Sequence, residues 1–174
     1  MSGPEPPWIP DFHWLTDNFA VGACFPAERA RKLSAEHGIG AVIDLRSEDR
    51  DDERVLRREG IELLHLPTPD LEAANVQMLD RGVLFARERI EADRKMLIHC
   101  QHGIGRSALL ALCVLVDQGW QPLDALSHAK DVRAAISPSQ SQYEGWAAWL
   151  ASRGKPAPDY HTFGCIAYRH LASG

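Results

Sequence analysis

A chain of 174 residues, 45% hydrophobic and 25% charged, has the length and balance of one compact domain with a hydrophobic core. Its formal net charge of −5 argues against general nucleic-acid or anionic-membrane binding, which needs a basic face; a local field can still draw in an anionic substrate. The longest apolar run, Ala108 to Val116, is too short to span a bilayer, and no basic-then-apolar pattern marks a secretory leader.

In chain order, residues 1–11 form a Pro-rich arm, with four prolines between Met1 and Pro10. Phe12 to Leu15 and Phe19 to Gly22 predict short strands around a Thr16-Asp17-Asn18 turn. Pro26 to His37 predicts a helix, with Gly38 placed to end it. Ala41 to Arg46 is a strand, Asp49 to Glu59 a charged helix, and Ile61 to Leu66 another strand. Val76 to Ala92 predicts a helix, its apolar Leu79, Val83, Leu84 and Ile90 spaced near 3.6 residues. Lys95 to His99 is an almost wholly apolar strand, which suits the centre of a sheet covered on both faces. Arg106 to Gln118 is a buried helix. Two more helices follow at Leu123 to Ala135 and Ser139 to Ser152, the second carrying Trp146, Trp149 and Leu150 on one face. Residues 154–174 form a tail whose Phe163, Ile166, Tyr168 and Leu171 are positioned to dock on the body.

Strands alternating with helices imply a single α/β domain over 12–153, with a largely parallel sheet of about five strands flanked by helices. Ligands of such sheets gather beyond the carboxyl ends of the strands. Three segments converge there: Arg46 with Ser47, Pro67 to Asp70, and Cys100 to Arg106.

The last of these segments carries the chemistry. His99-Cys100-Gln101-His102-Gly103-Ile104-Gly105-Arg106-Ser107 lies between a buried strand and a buried helix. A loop bending there aims successive backbone N–H groups inward and makes an anion cradle at a positive helix end. Gly103 and Gly105 permit backbone angles or close approaches that a side chain would hinder. Arg106 can grip two phosphate oxygens with its planar fork, and the same positive field favours a Cys100 thiolate. Ser107 can donate a hydrogen bond to that sulfur. The other cysteines, Cys24, Cys113 and Cys165, have no metal-like or paired spacing and read as small apolar residues. Cys113 lies about 10 Å down the helix from Arg106, too far for a redox partner of Cys100. Reduced thiols in a cytoplasmic protein are the expectation.

The His-Cys-x-x-Gly-x-x-Arg-Ser pattern resembles the motif of the protein tyrosine phosphatase superfamily, in its dual-specificity branch. The likeness runs from about Trp14 to Leu150 and takes in Asn-Phe-Ala-Val-Gly, Val-Ile-Asp-Leu-Arg and Pro-Thr-Pro-Asp. The resemblance implies that Cys100 is the nucleophile, Asp70 the general acid and His99 the residue that orders the loop and tunes the thiolate. Phosphate would rest on the loop Gln101, His102, Gly103, Ile104, Gly105 and Arg106. No metal or cofactor is implied.

Other readings stand beside these. Asp70 could be a helix N-cap, with Glu72 as the acid. Arg46 could line the pocket or end its strand at the surface. Gln142, like Gln140, sits where relatives often carry a glutamine near the site, and helix capping or an ordinary polar surface position explains both just as well. A rhodanese-like sulfur-transferring or arsenate-reducing domain also places a cysteine at a helix start, but Asp70 and Ser107 favour phosphatase chemistry. Phosphotyrosine is the leading substrate, with phosphoserine and phosphothreonine in reach, because Gln101, His102, Ile104 and Gly105 add no lysine or arginine for further phosphates. Phosphoinositide, inositol phosphate and RNA 5′ phosphate remain alternatives, as does a phosphate-reading module without turnover. A monomer acting on a phosphorylated protein or small phosphomonoester, with no nucleic-acid or membrane partner, is expected.

Overall fold

A computed structural model of the chain describes residues 3–4 and 7–171. Residues 1, 2, 5 and 6 of the Pro-rich arm and 172–174 of the tail lie outside the described residues. Five strands form one sheet: β1 (Phe12–Trp14), β2 (Phe19–Gly22), β3 (Ile39–Arg46), β4 (Glu62–Thr68) and β5 (Lys95–His99). Their order is β1-β2-β5-β3-β4. β1 and β2 run antiparallel, whereas β2, β5, β3 and β4 are mutually parallel. The sheet is the mostly parallel, five-stranded one that the alternation of strands and helices implied. β5 lies at its centre.

Among the described residues seven α-helices pack on the sheet or on one another: α1 (Ala30–His37), α2 (Glu53–Arg58), α3 (Val76–Glu91), α4 (Arg106–Asp117), α5 (Pro122–Val132), α6 (Gln140–Ser152) and α7 (Tyr160–Ala167). On one face Leu33 of α1 and Leu56 of α2 pack with Val42 and Leu97. On the other, α4 is buried throughout from Arg106 to Val116 and packs with Met96, Ile98, Leu79, Trp146 and Trp149. Side chains alternate along a strand, so Met96, Ile98 and Cys100 turn towards α4, while Leu97 turns the other way. His99 follows Leu97. The nucleophile candidate and its neighbouring histidine therefore face opposite sides of the sheet. Among the described residues no helix is long and apolar enough to cross a membrane.

Several elements depart from their predicted bounds. The helix expected from Pro26 begins as a 3-10 turn, Ala27–Arg29, before α1. The charged helix expected from Asp49 starts only at Glu53, with Asp52 as its N-cap accepting from the amides of Arg54 and Val55. Asp49 and Asp51 are drawn instead into ion pairs with Arg46. Leu84 is half exposed, because the buried stripe of α3 runs through Leu79, Gly82, Val83 and Ala86. The tail segment is largely helical: α7 buries Phe163 and Ala167, while Leu171 stays exposed.

Candidate active site

The chain leaves β5 at His99, turns through residues 100–105 and enters α4 at Arg106. Cys100 is buried, with Sγ 3.2 Å from the Ser107 hydroxyl. Burial alone would push the thiol up, but the Ser107 hydroxyl, the amides of Ser107 and Gly103, and the Arg106 charge together bring it below its ordinary value. The loop thus favours the thiolate form of Cys100 at the N-terminal end of α4.

Gly103 has φ +67°, and a Cβ there would lie 2.5 Å from the backbone of Gly22. Gly105 is excluded from carrying a side chain for another reason: a Cβ would collide with the Gln142 carboxamide. Gln142 is itself buried. Its Oε1 accepts from the Ser139 amide at 2.8 Å in a capping box at the start of α6, and its Nε2 donates to the Glu72 carbonyl at 3.3 Å. Capping and pocket lining are therefore one role for Gln142, whereas Gln140 is exposed.

Arg106 is buried, and its guanidinium is already aimed. Nη1 donates to Glu48 Oε1 at 2.6 Å and to the Thr68 carbonyl at 2.8 Å, and Nη2 to Glu48 Oε2 at 2.9 Å. The buried Nε has no partner. Such a donor is costly to leave unpaired. Glu48 is the residue that sequence reasoning missed here. Its hydrogen bonds to Arg106 hold its carboxyl down to about 2, so it stays anionic and keeps the fork oriented. Asp70 lies across the mouth, Oδ1 3.7 Å from Arg106 Nη2, and accepts from the Leu71 amide at 3.0 Å. It caps no helix: the N-cap of α3 is Asn75.

Beneath the loop, on the opposite face of the sheet, lies a buried ionic network. His99 Nε2 is 2.5 Å from Asp51 Oδ2, and its Nδ1 is 3.2 Å from the Cys100 carbonyl. Arg46 joins Asp44 and Asp51 at 3.0 and 3.1 Å. Arg46 neither lines the pocket nor ends its strand at the surface, for these two carboxylates hold it inside. Burial disfavours the imidazolium, but the hydrogen bond and charge of Asp51, with Asp44, raise the His99 pKa above its ordinary value. Asp44, Asp51 and His99 offer ligand atoms within 4.8 Å of one another, and Arg46 supplies positive charge among them. We expect Asp51→Asn to remove the support for His99 protonation and shift the pH profile of Cys100 alkylation upward. Breaking a buried ion pair should also cost ~3–5 kcal/mol of stability, readable by denaturant unfolding.

A second arginine that sequence reasoning missed braces the loop from outside. Arg133, at the end of α5, donates Nε to the Gly103 carbonyl and Nη2 to the His102 carbonyl, both at 2.9 Å. Turning those carbonyls outward leaves the corresponding amides facing the cradle. Of the remaining cysteines, Cys24 borders the loop, its amide donating to the Gln101 carbonyl at 3.3 Å. Burial pushes Cys113 well up and Cys24 up, while Cys165 is exposed. All four are free thiols.

A cavity of about 230 Å³ opens over Cys100 and Arg106, walled by Asp70, Leu71, Ile104 and Gln142. A larger depression of about 600 Å³ beside Trp120 and His128 is not lined by any of these groups. Glu72 does not line the catalytic cavity; its carbonyl holds Gln142. The structure therefore brings Cys100, Arg106, Asp70 and the loop residues His102, Ile104 and Gly105 to one pocket, with Ser107 buried behind the sulfur; Gln101 and Gly103 do not line it. His99 lies behind it and Arg46 deeper still.

Residues 24–149 match the family described as Dual specificity phosphatase, catalytic domain. Among curated proteins, the chain is 32% identical over 78 residues to Tyrosine-protein phosphatase yvh1 of Schizosaccharomyces pombe, covering 44% of this chain and 24% of that protein. It is 24% identical over 132 residues to human Phosphatidylglycerophosphatase and protein-tyrosine phosphatase 1, covering 72% of this chain and 66% of the relative. Thus the chain spans about a quarter of the first and just under two thirds of the second. Among solved structures, PTPMT1 superposes with a TM-score of 0.74 at 22% identity, over 82% of this chain and 98% of that one. Tk-PTP in its active form gives 0.75 at 24%, over 82% and 97%.

Proposed function

The chain belongs to the dual specificity phosphatase catalytic-domain family, and on that premise we propose that it hydrolyses phosphomonoesters, phosphotyrosine foremost, through a phosphocysteine on Cys100. The observation that carries this reading is the Cys100 thiol, 3.2 Å from the Ser107 hydroxyl, beneath a cavity that Arg106 and Asp70 also line. The Cys100 thiolate attacks phosphorus in line as the P–O bond to the leaving group breaks, and Asp70 gives its proton to the departing oxygen. Asp70, now ionised, takes a proton from the water that attacks phosphorus, and the S–P bond breaks to return the thiolate. Ser107, 3.2 Å away, stabilises that leaving sulfur. Arg106 and the loop amides hold the equatorial oxygens in both steps. Membership of this family leaves the sulfur-transfer and arsenate-reducing readings without support.

The mouth of the pocket favours a single phosphate on an apolar group. Leu71 and Ile104 present exposed apolar surface there, and the nearby charges of Glu48 and Asp70 are negative. A substrate bearing several phosphates would meet Arg106 but no second arginine or lysine among the residues lining the cavity. The competing reading, a phosphorylated lipid, draws on the human relative named as a phosphatidylglycerophosphatase and on PTPMT1 solved with PI(5)P. A thiolate nucleophile suits a reducing compartment such as the cytoplasm.

The test is a panel of phosphotyrosyl and phosphoseryl peptides, phosphatidylinositol monophosphate, phosphatidylglycerophosphate and inositol polyphosphate with the purified protein. We expect the highest kcat/KM on phosphotyrosine, inhibition by vanadate, inactivation by stoichiometric alkylation of Cys100, and indifference to a strong chelator. Highest kcat/KM on a lipid or polyphosphate would overturn the substrate assignment. Undiminished turnover after alkylation of Cys100 would overturn the mechanism.

A further inference from the structure

The family match ends at residue 149, yet the chain beyond it reaches back to the wall of the pocket. α7 packs against α5 and α6, burying Phe163 and Ala167; the Pro158 carbonyl accepts from the Tyr143 hydroxyl at 2.5 Å. α7 gives way to a 3-10 turn, Arg169–Leu171. Two side-chain contacts then bind this end of the chain to residues 134–138. The Tyr168 hydroxyl donates to the Pro138 carbonyl. Lys130, buried in α5, spends its three ammonium donors on the Ala134 carbonyl at 2.7 Å, the Ile136 carbonyl at 2.6 Å and His170 Nδ1 at 2.8 Å.

That same stretch touches the phosphate loop from its other side. The Ser137 amide donates to the Ile104 carbonyl at 2.9 Å, and Ser137 lines the cavity. Arg133, just before it, holds the carbonyls of His102 and Gly103. Ser139, just after it, donates to the carbonyl of Leu71, beside Asp70, at 2.7 Å, and with Gln142 it forms the capping box against Gly105. Residues 133–142 are thus one strip, gripping the loop and the Asp70 segment on the inside and held by α7 and the following turn on the outside.

We propose that Tyr168 and Lys130 are positioning residues for phosphate binding, and that the C-terminal segment 158–171 clamps the 134–138 strip against the phosphate loop. The physical case is geometric. Carbonyls 102, 103 and 104 must all point away from the cradle for the intervening amides to point in, and each is fixed by a donor from the strip or from Arg133. A catalytic cradle tolerates little looseness, since its donors must meet charge that develops only in the transition state. An anchor that keeps the strip from drifting outward therefore acts on turnover and not on folding alone. This inference rests on the phosphatase reading above for its kinetic consequence, but not for its structural one.

The experiment uses the full chain and two readouts. Tyr168→Phe removes one hydroxyl and keeps the ring. It should speed amide hydrogen exchange in peptides covering both 134–138 and 102–106, and weaken vanadate binding and kcat by ~3–10-fold, the scale of one lost hydrogen bond. Lys130→Met should do the same more strongly; should it fail to fold, Tyr168→Phe carries the test. Leu84→Ala, at an exposed position of α3 away from the strip, is the control and should change neither readout. Faster exchange confined to 134–138, or a lower melting temperature with unchanged kcat and unchanged exchange at 102–106, would overturn the clamp. If the wild-type protein turns over no phosphomonoester, the phosphatase reading fails while the exchange data still decide the clamp.

Discussion

Arg106→Lys should lower kcat by at least ~10²–10³-fold, the loss typical of removing one preorganised donor from a transition state, while leaving the protein folded. The charge survives, but the arrangement does not. Arg106 serves both oxygens of Glu48 and the Thr68 carbonyl at the same time, and it can do so while lining the cavity because its donors lie in a rigid plane. A lysine brings one ammonium. Paired with Glu48 it would be turned from phosphate, and turned to phosphate it would leave Glu48 unmatched. The deficit should fall on kcat more than on KM if the grip tightens as phosphorus becomes planar. Glu48→Gln gives the complementary check: losing the charge but keeping an oxygen near Arg106 Nη1, it should be milder than Arg106→Lys. An unchanged kcat for Arg106→Lys would reduce Arg106 to a structural residue.

What the sequence shows and what it hides follow from the range of the interactions involved. The strand–loop–helix at 95–117 is legible because local features specify it: an apolar run, two glycines and an arginine at a helix start. Ser107 is legible for the same reason, by its place after Arg106, whereas Gln142 is told from Gln140 only by its capping box with Ser139 in the folded chain. Glu48, Asp51 and Arg133 are not, because their partners lie 58, 48 and 30 residues away and no periodicity announces them. Two signals were nonetheless present. The acids of 48–53 crowd directly after a strand whose carboxyl end faces the site, more densely than one short helix needs. Arg133 ends a helix four residues before the Ser137-Pro138-Ser139 turn that borders the pocket. The same long-range pairing explains why α2 begins at Glu53 and not Asp49: Asp51 is committed to His99 and Arg46, and a residue buried in an ion pair cannot also extend a surface helix. Arg46 read as pocket or surface because sequence alone gives no sign of the carboxylates that hold it inside.

Asp70→Asn should slow hydrolysis of a phosphotyrosyl peptide by ~10²–10⁴-fold, the range for a lost general acid, and slow an aryl phosphate with a strongly acidic phenol far less. A tyrosyl oxygen leaves poorly as an anion, whereas a nitrophenolate departs without a proton. The difference between the two substrates therefore measures proton donation and nothing else. The geometry permits this role: Asp70 lines the cavity over Cys100, is largely exposed, and is bonded through Oδ1 to the Leu71 amide, which leaves its other oxygen open to the leaving group. Ser139 fixes the adjacent carbonyl of Leu71 at 2.7 Å, so the acid rides on a strapped loop. Asparagine retains an acceptor for the Leu71 amide, and α3 is capped by Asn75, so the stability change should stay within ~0.5 kcal/mol. A cap lost at Asp70 would instead cost ~0.5–2 kcal/mol and slow both substrates alike. Equal slowing of both substrates would remove Asp70 from the proton-transfer step and assign the acid to another residue of the mouth.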